Sequence, residues 1–139
     1  MSHAQSDLAI GSRFELTTEP VTRQQLVRYA GASDDYNPIH YDEQYAADAG
    51  LGGVIAHGML TMAFMARAAS DWAGAGGQVR RIAARFTAPV RPGDAVHVVG
   101  VITGIGEADS AGEVQCRIDA DVAGRAVASG EATLKPGRR

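Results

Sequence analysis

The segment LGGVIAHGMLTMAFMARAASDW, residues 51–72, constrains this chain more than any other. From near His57 to near Trp72 it reads as one helix. Met59, Leu60, Met62, Ala63, Phe64, Met65 and Ala66 leave it almost no polar face. A helix apolar all round has to be surrounded by protein. His57 and Arg67 interrupt the run, and Gly and Ala dominate it, so a buried helix is expected and not a membrane span.

The C-terminal half of the chain can supply the cover. VRRIAARFTAPV, DAVHVVGVITGIGEA, GEVQCRIDADVA and RAVASGEATLKP read as strands, separated by the turn signals RPGD, EADSAGE and VAGR. Val114, Cys116, Ile118 and Ala120 alternate cleanly onto one side, and the last two strands have the spacing of a hairpin. Consecutive strands with short turns form an antiparallel sheet. Ahead of the long helix lie a short strand in RFELTTEP and a helix in VTRQQLVRYAGAS. That helix opens with a capping box, Thr22 and Gln25, and a staple from Val21 to Leu26. A small helix in DEQYAADAG ends at Gly50. The class is α+β, an antiparallel sheet curling around a central apolar helix. The helix is greasy on more sides than one such sheet covers, so a second copy or a close relative is expected to complete its burial.

With 139 residues, the chain is expected to form one domain over 1–139, with residues 1–9 a loose tail. A net charge of −3 gives no basic face for nucleic acid. Cys116 is the only cysteine, which rules out an internal disulfide and fits a reducing, cytoplasmic setting. No basic segment followed by an apolar run marks a signal peptide at the N-terminus.

Between the two larger helices, ASDDYNPIHYDEQYA places Asp34, Asp35 and His40 around an Asn-Pro bend. On a helix, Asp35 and His40 would point about 140° apart. Pro38 forbids a helix interior and pushes Asn37 into an extended conformation, while Asn37 can bond locally and fix a turn. The bend can therefore aim a carboxylate and an imidazole at one point, where a water could sit. Such a pair is a general acid/base couple near neutral pH. From the residues alone a second reading stays open: a capping turn before the next helix, with His40 a partly exposed bystander.

SDDYNPIHYDEQYA followed by GGVIAHGMLTM resembles the two linked motifs of the MaoC-like, hotdog-fold (R)-specific enoyl-thioester hydratases and 3-hydroxyacyl-thioester dehydratases. The Asp-x-Asn-Pro-x-His core is complete in Asp35, Asn37, Pro38 and His40, and Ala56–Met59 supplies AHGM. RFTAPVRPGD, Arg85 to Asp94, resembles the family's strand and turn after the central helix. Over most of its length the chain is also similar to the catalytic subunit of mycobacterial-type 3-hydroxyacyl-carrier-protein dehydratases. Asp34 departs from the glycine that many members carry, and Ala63 from a serine in some hydratases.

The resemblance implies a hotdog fold and reversible hydration of trans-2-enoyl thioesters of coenzyme A or acyl-carrier protein, giving (R)-3-hydroxyacyl thioesters. It implies Asp35 and His40 as the catalytic pair, without assigning which is acid and which is base. Gly58, at the start of the long helix, would offer its N–H to the thioester oxygen. Asn37, Pro38 and His57 would support the loop, and Met59, Met62 and Ala63 would line the acyl pocket. Arg85 and Arg91 are candidates for phosphate contacts on the carrier arm. No cofactor is implied. A metal is not expected either, since His40 and His57 stand seventeen positions apart with no short ligand pair. The partner implied is a second hotdog subunit, identical or related. Two rival functions share the fold. A thioesterase would use an acid on the central helix, where Asp71 lies at the far end. A non-catalytic acyl-binding partner subunit would lack the Asp/His pair.

Overall fold

The computed structural model describes residues 8–106 and 112–137. In chain order the elements are β1 (Arg13–Thr17), α1 (Arg23–Ser33), a 3₁₀ turn (Pro38–His40), α2 (Glu43–Asp48), α3 (Gly58–Ala73), β2 (Gln78–Phe86), β3 (His97–Ile105), β4 (Val114–Val122) and β5 (Arg125–Lys135). Residues 1–7 of the expected tail, and Glu107–Ala111 of the expected EADSAGE turn, lie outside the described residues. Leu8 already packs against the core.

The helix starts follow the sequence signals. Thr22 accepts from the Gln25 N–H at 3.1 Å and caps α1, and Val21 and Leu26 both sit in the core. Asp42 accepts from the Tyr45 N–H at 3.0 Å and caps α2. The β4–β5 hairpin turns through Ala123 and Gly124, both at positive φ, the conformation a two-residue hairpin loop demands.

The sheet is antiparallel throughout, in the order β1-β3-β4-β5-β2. This corrects the expectation that consecutive strands are neighbours: β2 pairs with β5 at one edge, not with β3. The segment from Thr87 to Val96 contains Pro89 and Pro92, which suit a crossing link better than a tight hairpin. On its way it ties down the loops below the sheet. Val90 accepts from the Ala56 N–H at 2.7 Å, and Val96 accepts from the Thr18 N–H at 2.9 Å.

α3 packs against all five strands, the curled, wrapped arrangement that the hotdog resemblance implies. Its Leu60, Phe64, Met65, Ala68, Ala69 and Ala73 meet the inward-facing Val98, Ile102, Val114, Cys116, Ile118 and Leu134 in the buried core. Phe14 lies over Gly100, where a Cβ would fall 2.0 Å from the ring, and stacks on Trp72 at 5.6 Å. That contact clamps β1 and β3 to the far end of α3. Burial raises the Cys116 thiol to about 11, so it stays protonated and serves as core. Among the described residues no helix is long and apolar enough to cross a membrane.

One polar knot joins three strands across the outer surface. His97 on β3 bonds Asp121 on β4 through Nδ1 and Glu15 on β1 through Nε2, each at 2.9 Å. Both carboxylates accept, so the knot is complete only when the imidazole carries both hydrogens, and its carboxylate partners raise the His97 pKa. A raised folded-state pKa contributes stability that is full below about pH 6.5 and is lost as pH rises through the higher folded value. His97→Gln should therefore melt about 2 °C lower than the parent near pH 6, with the gap closing towards pH 9, since a partly exposed pair is screened. Thermal melts across that range check this, and a gap that widens with pH contradicts it.

Candidate active site

α1 ends where Asp34 enters the left-handed region at φ 59°. Glycine favours this conformation and Asp tolerates it, which gives the Asp34 departure a backbone reason. A ladder of short bonds then builds the bend. The Ser33 hydroxyl donates to the Tyr29 carbonyl at 2.8 Å, and the Asn37 N–H donates to Asp35 Oδ1 at 3.2 Å. Asn37 Oδ1 accepts from the Ile39 N–H at 3.3 Å, and Pro38 occupies the first turn position. Asn37 and Pro38 thus shape the loop and leave Asp35 Oδ2 free.

His40 is only 7% exposed, so it is not the partly exposed side chain of the capping-turn reading. Its Nδ1 lies 2.7 Å from the Ile55 carbonyl, which can only accept, so Nδ1 carries the hydrogen. In the neutral ring Nε2 then presents a lone pair, 3.8 Å from Asp35 Oδ2, whose side chain is 52% exposed. Two acceptors at that separation suit one molecule with two donors, and a water fits.

His57 lies behind this pair. Its ring stacks on His40 at 3.7 Å with 21° between planes, and its Nε2 is 3.1 Å from the Asp35 carbonyl oxygen. Burial lowers its pKa, which keeps the ring neutral. Tyr29 lies against it at 4.8 Å. Gly58 follows as the first residue of α3, where backbone N–H groups lack an intrahelical acceptor and the positive end of the helix dipole emerges. The start of α3 thus follows directly on the ring that stacks against His40.

Asp35, His40 and His57 each offer a ligand atom, all within 4.8 Å of one another. They do not suit a shared metal. An imidazole coordinates in its own plane, and two rings stacked nearly parallel at 3.7 Å cannot both hold one ion in plane.

Other expected residues fall differently. Arg91 donates to the carbonyls of Leu51 and Gly53 and takes the Asp94 carboxylate on its own N–H. It braces the loop before α3, which corrects its reading as a phosphate contact: its fork is already engaged by loop carbonyls. Arg85 on β2 is exposed and makes no ion pair among the described residues. Met59 is 58% exposed, Ala63 is exposed and Met62 half-buried, so in one chain they form an open stripe and not a closed pocket. The hollow beside the site, about 580 Å³, is bounded by Gln25, Arg28, Tyr29 and Leu60 instead. Asp71 points to solvent and lies 3.9 Å from Arg67, remote from the pair. Sequence reasoning missed Phe86. A Cβ on Gly58 would lie 3.0 Å from its ring, so Phe86 forms the wall beside that N–H.

Residues 5–123 match the family described as MaoC like domain. Over 133 residues the chain is 32% identical to the (R)-specific enoyl-CoA hydratase of Rhodospirillum rubrum, covering 95% of this chain and 90% of that protein. The unliganded R-hydratase PhaJ1 of Pseudomonas aeruginosa superposes with a TM-score of 0.84 at 28% identity, covering 97% of this chain and 86% of that one. The (R)-hydratase of A. caviae involved in PHA biosynthesis gives a TM-score of 0.82 at 25% identity, covering 93% of this chain and 97% of that one. Some relatives are far longer: the chain spans 4% of the fatty acid synthase β subunit of Aspergillus oryzae, at 41% identity over 73 residues.

Proposed function

The chain belongs to the MaoC-like domain family, and from that membership and the site we propose that it hydrates trans-2-enoyl thioesters reversibly to (R)-3-hydroxyacyl thioesters. The observation that carries this reading is the facing of His40 Nε2 and Asp35 Oδ2 at 3.8 Å beside the open N-terminus of α3. A water donating to both acceptors has its oxygen lone pair free for C3 of the substrate. His40 takes a water proton as the C3–O bond forms, and the Asp35 carboxylate stabilises the resulting imidazolium. The electron pair of the double bond moves to the thioester oxygen, where the Gly58 N–H holds the charge. The proton then passes from His40 to C2, which completes the addition and restores both groups. No metal or organic cofactor takes part in these steps.

The substrate arm is coenzyme A or the phosphopantetheine of an acyl-carrier protein. Arg85, exposed beside Phe86 on β2 and without an ion pair among the described residues, is the candidate for its phosphate. The setting is the cytoplasm, where the buried thiol of Cys116 stays reduced, and residues 1–139 work as a single domain.

The open stripe of Met59, Met62, Ala63 and Ala66 supports a second hotdog subunit, identical or related, as the cover that turns it into an acyl wall. A dimer or a dimer of dimers is expected by light scattering at micromolar concentration, and a stable, active monomer contradicts it. Within that assembly Ala63→Leu should shift preference towards short acyl chains, at about 0.8 kcal/mol for each methylene that the shortened pocket no longer buries. Equal loss of short and long substrates would place Ala63 outside the acyl path.

The decisive experiment incubates the pure protein with crotonyl and longer trans-2-enoyl coenzyme A. Loss of the conjugated-thioester absorbance with an (R)-3-hydroxyacyl product is expected. Release of free thiol would indicate a thioesterase, and inert folded protein would indicate a non-catalytic subunit.

A further inference from the structure

His57 occupies the N-cap position of α3 but makes no capping bond to the helix. Its Nε2 faces the Asp35 carbonyl, an acceptor, so Nε2 carries the hydrogen and Nδ1 keeps a lone pair. That Nδ1 is buried with no hydrogen-bond partner among the described residues, and the ring as a whole is 2% exposed. A second proton on this ring would be buried and would find no acceptor among the described residues. A residue needed only to donate one bond could be Asn or Gln. A residue needed only to fill space would not leave a bare buried lone pair. Neither role explains the stack on His40.

We infer that His57 is a positioning residue that stays neutral throughout the reaction, fixing the Asp35 carbonyl through Nε2–H while its ring face supports the His40 imidazole in its protonated state. This rests on the hydration reading, in which His40 gains a proton. The groups facing His40 are the Asp35 carboxylate, the Ile55 carbonyl and the His57 ring. Among the described residues no other charged group pairs with it, and the Tyr29 ring lies tilted at 59° against His57. A second cationic ring stacked on His40 would oppose the imidazolium. A neutral one offers a polarisable face that favours it. The lowered pKa of His57, caused first by burial, agrees with this.

Imidazole nitrogen–proton correlation spectra of the intact protein, taken from about pH 5 to about pH 8, report each tautomer and titration without substrate. His57 is expected to remain the neutral Nε2–H tautomer across this range. His57→Gln keeps the donor and removes the ring face. The acid limb of kcat/KM should then move to lower pH by about half a unit. His57→Phe keeps a ring face and removes the donor. There the acid limb should hold, while kcat falls about tenfold with KM little changed, as Asp35 loses its anchor. A His57 that titrates between about pH 5 and about pH 8, or carries its hydrogen on Nδ1, overturns the inference, as does an unmoved acid limb in His57→Gln. If the variants do not fold, the wild-type tautomer and titration decide alone. Failure of the hydration reading would look different: folded wild type with normal spectra and no turnover of any enoyl thioester.

Discussion

Asp35→Asn and His40→Ala are each expected to lower kcat/KM for enoyl-thioester hydration by about 10³-fold. The two groups hold the same water, so removing either leaves it under-oriented and without a complete proton path. The double variant should be little worse than the poorer single one, because groups that act as a unit do not lose activity additively. Asp35→Asn is the cleaner probe of charge. Its amide oxygen can still accept from the Asn37 N–H, as Asp35 Oδ1 does at 3.2 Å, so the bend survives. His40→Ala removes a buried ring from between Ile55 and His57, so its melting temperature has to be measured beside its rate. Near-wild-type turnover in either folded variant would remove this mechanism. Losses that multiply in the double variant would show two independent groups in place of a pair.

The parts of this molecule that are legible in the sequence are those specified locally. The capping signal at Thr22, the Asn-Pro bend and the alternation of β4 each depend on residues within a few positions of one another, and each appears where its chemistry puts it. Strand order is not legible, because β2 chooses β5 through pairings some fifty positions away, such as Arg81 beside Thr133. Nor is the stack of His57 on His40, which joins two residues seventeen positions apart where the Ile55 N–H bonds back to the Ile39 carbonyl of the 3₁₀ turn. Arg91 shows how a charge pattern misleads. It has the motif position and the donors for a phosphate, yet the loop carbonyls of Leu51 and Gly53 reach it first. The exposed stripe of α3 is the reverse case. Its apolar character by itself calls for a covering partner, and the single chain does leave that surface open.

Gly58→Ala should cost about a hundredfold in kcat, the size of effect that loss of one oxyanion donor produces. The variant keeps its N–H, so the loss has to come from geometry. An added Cβ would lie 3.0 Å from Phe86 Cε2 and 3.1 Å from Cδ2, closer than the ring can accept without moving. Phe86 is 45% exposed and has room to swing outward, but it then leaves the N–H open to water, and a wet donor stabilises the developing charge less. If the ring remains in place, the first turn of α3 shifts instead, and the donor no longer points at the thioester oxygen. Combining Gly58→Ala with Phe86→Ala separates these causes. Removing the ring relieves the clash, so recovery of about tenfold in the double variant would assign the loss to displacement of the helix start. No recovery would mean either that the ring itself is needed as a dry wall or that the substrate requires the bare glycine. Phe86→Ala alone distinguishes those: the dry wall predicts a large loss in kcat, and the bare glycine predicts almost none. A folded Gly58→Ala enzyme with wild-type kcat would instead remove the α3 N-terminus from the reaction, and the thioester oxygen would need another donor.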